Sequence, residues 1–425
     1  MKNQFLIYHG KLLSKGIQAT NRGNGSTWPG HIALKYNRHF IKDILKHSDT
    51  KIIFIVGTNG KTTTTTLLSH LIKSSGKKVI QNTSGANLIN GIASTLLLNT
   101  DLRGKIHADV ALFEIDENAF PLICKEITPD VIIMLNLFRD QLDRYGEVNT
   151  IALKWKDAVA TLPSSTRLIL NADDPQIAFL GKDSAQNTSY FGLNEKGEQS
   201  LDHASDSTYC PICRSKLEYK KTYYSHLGDW SCPNKDFEHP KDVFSSVSHY
   251  PLDGLYNRYN IHAAILAALK LGINLGVLEN NLSSFQPAFG RQEKITIDGK
   301  KIEVILAKNP AGFNQTIQTA QELKAKNVLL ILNDRIADGT DISWIWDVDF
   351  EKFAQDIQFT LSGDRVYDLA LRLKYAGLQG NLVPELKKAV RDALIKTPKD
   401  QTLFILPTYT AMLDVRKILV GKKIL

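Results

Sequence analysis

Short apolar runs recur along the chain, separated by stretches whose apolar positions repeat with helical spacing. The runs "KIIFIVG", "KKVIQN", "ADVALFEI", "DVIIMLN" and "RLILNADD" all lie between Lys51 and Asp174. Each has the length of a buried strand, and the intervening segments have the length of a helix. That alternation predicts βαβ units and a parallel sheet. A second series, "KIEVILAKN", "NVLLILND", "IQFTLSG" and "QTLFILP", begins at about residue 300 and predicts a second α/β domain. Between the two, "NRYNIHAAILAALKLG" reads as an amphipathic helix closed by Gly272. A polar interruption from Ser205 to Lys241 breaks the pattern and carries three of the four cysteines. The expected organisation is an N-terminal basic segment (1–47), a central domain (48–295) with an insertion (205–241), and a C-terminal α/β domain (296–425).

Composition refines this picture only modestly. A chain of 425 residues is too long for one small core. With 43% hydrophobic and 23% charged residues it has the balance of a soluble protein. No apolar stretch approaches the roughly 20 residues that span a bilayer. The basic start "MKNQFLIYHGKLLSKG" is followed by no small-residue cleavage site, so a cytosolic protein is expected. A net charge of +8 and a pI near 9.0 favour acidic partners such as nucleic acid, an anionic membrane or a phosphorylated substrate. No nucleic-acid motif accompanies the charge, and a solubilising surface excess explains it equally well. Four cysteines in so long a chain do not form a disulfide framework.

The most informative stretch is "IIFIVGTNGKTTTTTLL", Ile52 to Leu68. A strand that enters a Gly-rich turn and then a helix gathers unpaired N–H groups and the positive helix end around one point, which suits phosphate. Gly57 and Gly60 permit close backbone approach, Lys61 supplies a point charge, and Thr62 offers a hydroxyl to Mg²⁺. The generic pattern has Gly where this chain has Ile55, so the loop is a compressed G-x-x-G-K-T variant. The candidate ATP site is therefore Gly57, Thr58, Asn59, Gly60, Lys61, Thr62 and Thr63. A chance Gly/Lys/Thr turn is the competing reading.

"GTNGKTTT" in this setting resembles the ATP-binding loop of the Mur ligase superfamily, and further matches follow in the family's order. Glu114 in "LFEIDE" stands where the family places a Mg²⁺-binding glutamate. "NLFRDQLDRYGE" resembles its Asn…Asp-His-x-Asp-Arg-x-Gly segment and brings in Asn136 and Asp140 as nucleotide-site residues. "NADDP" does the same for Asn171, Asp173 and Asp174, "GLYNRYN" for Asn257, and "GRQE" for Arg291. The resemblance implies a central P-loop ATPase domain followed by a Rossmann-like domain. It also implies a ligase in which a carboxylate takes the γ-phosphate of ATP and an amine then displaces it, with Lys61 and Glu114 among the catalytic residues and Mg²⁺ held by Thr62 and Glu114.

Departures from the superfamily pattern narrow the resemblance. Only about 50 residues precede the phosphate loop, too few for a separate UDP-sugar domain of about 100 residues. Gln141 replaces a family His, and Lys308 in "AKNPAGFN" replaces the His of "HNP". With "NDRIADGTDISWIWDVDFE" and the cysteine insertion, these features are similar to the synthetase subunits that amidate lipid II in Gram-positive bacteria. That branch implies amidation of the D-glutamate α-carboxylate to D-isoglutamine, using ammonia from a GatD-like glutaminase in a heterodimer. It implies a cytoplasmic protein, with lipid II held at the membrane face. Asp341 would complete the partner's Cys-His pair; otherwise Asp338 and Asp341 merely shape a turn. Cys124 in "FPLICKEI" is expected to be a packed hydrophobe. Two other readings are a stand-alone amino-acid ligase of the folylpolyglutamate synthase type and a nucleotide-binding scaffold without turnover.

The cysteine insertion leaves a metal question open. Cys210 and Cys213 form one C-P-x-C knuckle, and Cys232 begins a second whose partner position holds Lys235. Three thiolates with His226 or His239 would suit tetrahedral Zn²⁺. A metal-free ribbon is the alternative.

Overall fold

A computed structural model of the chain describes residues 2–19, 26–46, 48–82, 85–140, 148–195, 205–287 and 290–421. Its central sheet has seven strands: β1 (Lys51–Val56), β2 (Val79–Gln81), β3 (Val110–Glu114), β4 (Val131–Met134), β5 (Arg167–Asn171), β6 (Asn187–Phe191) and, beyond the ribbon hairpin β7 (Glu218–Tyr224) and β8 (Leu227–Ser231), β9 (Val243–Phe244). Their spatial order is β2-β3-β1-β4-β5-β6-β9, and every neighbouring pair is parallel. The sequence explains this arrangement. Strands β1, β3 and β4 are continuous apolar runs because helices cover both faces of the sheet, leaving no side for alternating polar residues. Ile53, Phe54, Ile55 and Val56 are accordingly all fully buried.

The C-terminal sheet comprises β10 (Arg291–Ile297), β11 (Lys300–Ile305), β12 (Asn327–Ile331), β13 (Gln358–Ser362), β14 (Gly380–Leu382) and β15 (Thr402–Pro407). Their order is β10-β11-β15-β12-β13-β14; β10 and β11 form an antiparallel hairpin and the rest are parallel. The boundary expected at residue 295 thus falls inside a strand, because β10 already pairs with the second sheet. Sequence periodicity misses this, since the strand opens on four polar residues, Arg291 to Lys294, and only Ile295 and Ile297 alternate.

The N-terminal segment folds as three helices, Lys2–Ala19, Trp28–Tyr36 and Phe40–Leu45. Leu6, Ile7, Ala33 and Phe40 share one core with Ile52, Phe54 and the helix Ile89–Asn99. Close approach requires glycine at one crossing. Gly30 N donates to Ser94 Oγ at 2.7 Å, and a Cβ on Gly30 would lie 2.1 Å from Asn90 O. Gly30→Ala should therefore destabilise the protein by about 1–3 kcal/mol, through backbone displacement that no rotamer relieves. Urea unfolding measures this, and an unchanged midpoint would mean that the helix Trp28–Tyr36 is not packed on Ile89–Asn99.

Candidate active site

Parallel pairing brings the C-terminal ends of β1, β3 and β4 to one edge. β1 lies between β3 and β4, so the chain leaves it in opposite directions on its two sides, where open α/β sheets form ligand crevices. The phosphate-type loop follows β1 directly, Glu114 ends β3, and Asn136 lies just beyond β4. The loop leads into the helix Lys61–Ser74 through Gly60, whose φ of +90° favours glycine. A Cβ there would also meet Asn260 Oδ1 at 2.0 Å, on the neighbouring helix Leu255–Lys270. Asn136 holds the loop from below: its Oδ1 accepts from Asn59 N at 2.8 Å, and its Nδ2 donates to Asn59 O at 3.1 Å.

Charge concentrates where the loop meets the helix. The Lys61 ammonium donates to Gly57 O and pairs with Glu117 at 3.1 Å. The Thr62 hydroxyl donates to Glu114 Oε2 at 3.0 Å. Burial raises the Glu114 carboxyl above its ordinary range, against the Thr62 hydrogen bond and the nearby charges of Lys61 and Arg291. Burial likewise depresses the Arg291 guanidinium, against support from Glu114. Glu114 is thus a buried carboxyl with one hydroxyl donor and two cationic side chains nearby. Together with the Thr62 hydroxyl it offers hard oxygen donors, the set that suits Mg²⁺.

The C-terminal sheet supplies the opposite wall. Asn309 caps the helix Pro310–Glu322 by accepting from Gly312 N at 2.8 Å, and its Nδ2 donates to Asn59 Oδ1 at 3.1 Å. Lys308 pairs with Asp140, whose other carboxylate oxygen is buried without a partner among the described residues. Burial would lower the Lys308 ammonium, but Asp140 and Glu117 outweigh it and hold the group charged. Asp341 lines the same cleft as Arg139, Asp140, Lys308 and Trp344. It is exposed at the mouth, where Ser343 N donates to its Oδ1 at 2.8 Å and keeps the carboxyl below its usual range. A second recess is lined by Asn59, Gly60, Thr63, Asn257 and Arg291.

Several residues expected at the nucleotide site have other partners. Asp173 is fully buried, accepting from Tyr259 Oη at 2.6 Å and Leu193 N at 2.8 Å and facing His239 at 2.8 Å. Asp174 caps the helix Pro175–Gly181 and accepts from Leu137 N at 2.8 Å. Asn171 donates to Leu135 O at 2.8 Å and accepts from Asp173 N at 3.0 Å. These three residues tie β5 to the segment after β4. Asn257 does line the recess, although its amide already donates to Asp253 O at 2.7 Å. Gln141 lies outside the described residues. Glu117 and Asn309 were missed; a second acid three residues after Glu114 was the available signal for the first. Cys124 is buried, and burial pushes its thiol up to about 12.

In the ribbon, the sulfur atoms of Cys210, Cys213 and Cys232 lie within 4.8 Å of one another, with Cys213 Sγ and Cys232 Sγ 3.4 Å apart. Neither histidine considered as a fourth ligand joins them. His239 is engaged by Asp173, and His226 is fully buried 3.4 Å from Asp174. Lys235 adopts a left-handed φ of +61° where the second knuckle would need a cysteine.

Comparison with known proteins places these features in a family. Residues 55–268 match the model of the Mur ligase middle domain, and residues 306–412 match the MurT ligase C-terminal model. The chain is 34% identical to the lipid II isoglutaminyl synthase (glutamine-hydrolyzing) subunit MurT of Streptococcus pneumoniae, covering 95% of this chain and 94% of that one. It is 32% identical to the subunit of the same name from Staphylococcus aureus, covering 97% and 96%. Among solved structures, a pseudomurein peptide ligase type C from Methanothermus fervidus superposes with a TM-score of 0.66, at 24% identity over 90% of this chain and 81% of that one. The MurF ligase of Thermotoga maritima in complex with ADP gives 0.64, at 14% identity over 91% and 83%. Both share the fold. With one family model over its central sheet, another over its C-terminal sheet and relatives matched along nearly its whole length, the chain belongs to the MurT family of Mur ligase-type proteins.

Proposed function

We propose that this chain is the ATP-dependent synthetase subunit of a lipid II isoglutaminyl synthase, a carbon–nitrogen ligase that works with a GatD-like glutaminase. The observation that carries the reading is the match to the MurT subunits over 95% of the chain, spanning both the phosphate loop and the Asp341 segment. The substrate is the D-glutamate α-carboxylate of the lipid II stem peptide, held at the cytoplasmic face of the membrane. That carboxylate takes the γ-phosphoryl group and ADP departs; ammonia then displaces phosphate, leaving the amide of D-isoglutamine.

The residues divide this work by position. N–H groups of the loop Gly57–Gly60 and the start of the helix Lys61–Ser74 cradle the phosphates. Lys61 is already held beside them by Gly57 O and Glu117 and neutralises charge that develops on transfer. Thr62 and Glu114 would hold Mg²⁺, which supplies further neutralisation. Lys308 pairs with Asp140 Oδ2 across the domain boundary and supplies a positive charge toward which the acceptor carboxylate would be drawn. Catalysis is then mainly positioning and electrostatics, as in phosphoryl transfer generally. A stand-alone amino-acid ligase is less well supported, because Asp341 has no task in it.

For the ribbon, three thiolates within reach of one ion favour zinc, with a fourth ligand from outside the two histidines.

Three outcomes follow from this reading. Lys61→Ala should lower amidation at least about a hundredfold while leaving the partner bound, since a single preorganised donor carries that much transition-state stabilisation; near-normal turnover in the intact complex would remove the loop from the site. Asp341→Asn should cut glutamine-driven amidation by about tenfold or more, whereas amidation fed with ammonium chloride should stay near the unsubstituted rate, because the partner's imidazole alone loses its orienting carboxylate. Equal loss with both nitrogen sources would instead put Asp341 in the ligase chemistry. Elemental analysis should find about one zinc per chain, lowered by Cys210→Ser; metal-free protein with a stable ribbon would show that packing alone holds it.

A further inference from the structure

The charge of this chain is distributed unevenly. Its formal net charge is +8, and the first 46 residues hold six lysines and two arginines against a single aspartate, Asp43. Those residues therefore account for +7, and the remaining chain is close to neutral. The one carboxylate is spent locally: Asp43 accepts from Asn3 at 3.1 Å and Asn37 at 2.8 Å, tying the first and third helices together. Lys42 is paired with Glu126 at 3.3 Å. Lys15, Lys35 and Arg38 are exposed and Lys11 half-buried, and none of the four has an ion-pair partner among the described residues.

The same helices leave apolar surface uncovered. A helix on a globular surface normally has one apolar stripe, turned to the core. The helix Lys2–Ala19 has two. Leu6 and Ile7 are buried against the central domain, and a Cβ on Gly10 would meet Leu97 at 2.7 Å. Phe5, Tyr8 and Leu12, spaced for a single face, remain 62%, 51% and 51% exposed. Beside them runs an apolar groove of about 700 Å³, whose walls include Phe5, His9, Leu13, Ile32 and Tyr36. Trp28 and Tyr36, on the second helix, are 62% and 65% exposed. Among the described residues, no helix is long and apolar enough to cross a membrane.

We propose that the first two helices form a peripheral membrane-docking face that recognises anionic phospholipid. An apolar stripe with exposed aromatics, flanked by lysine and arginine and lacking acidic residues, has the composition of an interfacial helix: the rings enter the headgroup boundary and the cations meet the negative surface. Charge complementarity selects this occupant over a protein surface, because a protein partner would need carboxylates to match Lys11, Lys15, Lys35 and Arg38, which have no ion-pair partner among the described residues. The face is packed on the central domain, whereas Asp341 belongs to the C-terminal domain.

Vesicle co-sedimentation of the full chain, alone and with its glutaminase partner, tests this without reference to turnover, so the ligase reading can fail independently. Phosphatidylcholine vesicles with and without phosphatidylglycerol are compared at low and high salt. The chain should bind only the anionic vesicles, and salt should weaken binding. Combining Lys11→Glu, Lys15→Glu and Lys35→Glu should weaken it on the order of a hundredfold or more. Phe5→Ser with Leu12→Ser should weaken it while preserving the salt dependence. Reversal of equal charge on the C-terminal domain, Lys387→Glu with Lys388→Glu and Lys399→Glu, should change binding little; all these side chains are exposed or half-buried, so unfolding is not expected. Three results would overturn the proposal: no binding to anionic vesicles, equal loss from the C-terminal reversal, or loss of glutaminase association on altering the N-terminal face.

Discussion

The site depends on the polarity of the central sheet. Because β1, β3 and β4 run in the same direction, the loop after β1, the carboxylate that ends β3 and the amide just past β4 emerge together at one edge. Reversing any one strand would carry its terminal residue to the far side. Parallel strands impose helical crossovers, and those helices bury both faces of the sheet. The apolar runs that build the core and the phosphate cradle are thus consequences of the same arrangement. The left-handed turn at Gly60 completes it by bringing the loop against Asn260 with no room for a side chain.

The second constraint acts between the sheets. Asn59 exchanges two amide hydrogen bonds with Asn309, Asp140 pairs with Lys308 and Arg139 lies 3.6 Å from Asp347, so the phosphate loop and the segment after β4 are each joined to the C-terminal domain by polar contacts. Hydrogen bonds between neutral amides are individually weak, and a largely buried ion pair loses to desolvation much of what its attraction supplies. Contacts of this kind register two bodies without locking them, which suits a cleft that must admit a nucleotide and release ADP. The charges of Asp140 and Glu117 outweigh burial and keep Lys308 charged at neutral pH.

Most of the fold was legible in the sequence because buried parallel strands leave an unambiguous mark: each quoted run became a strand. The edge strand β10 was not, since it opens on four polar residues, Arg291 to Lys294, that carry no strand periodicity. The phosphate loop could be read from Gly57, Gly60, Lys61 and Thr62, where local geometry demands particular residue types. The buried contacts of Asp173 and Asp174 were not legible, for a physical reason. An aspartate pair after a strand looks the same whether it reaches a ligand or caps a helix and anchors a tyrosine, and only burial distinguishes the two. Contacts between residues far apart in sequence, such as Lys61 with Glu117 or Asn59 with Asn309, leave no local periodicity to detect. In the ribbon, the sulfur cluster formed as the C-P-x-C spacing suggested, but both histidines were drawn to buried aspartates instead.

The most direct measurement follows nitrogen. Purified complex of this chain with its glutaminase, supplied with ATP, Mg²⁺, lipid II and glutamine labelled with heavy nitrogen in its amide, should yield lipid II in which one carboxylate has become a labelled carboxamide, located by fragmentation mass spectrometry at the D-glutamate α-position. Formation should require ATP, and unlabelled ammonium should compete with the label only when present in excess. ATP-dependent addition of a whole amino acid, or binding of ATP with no change in lipid II, would contradict the assignment.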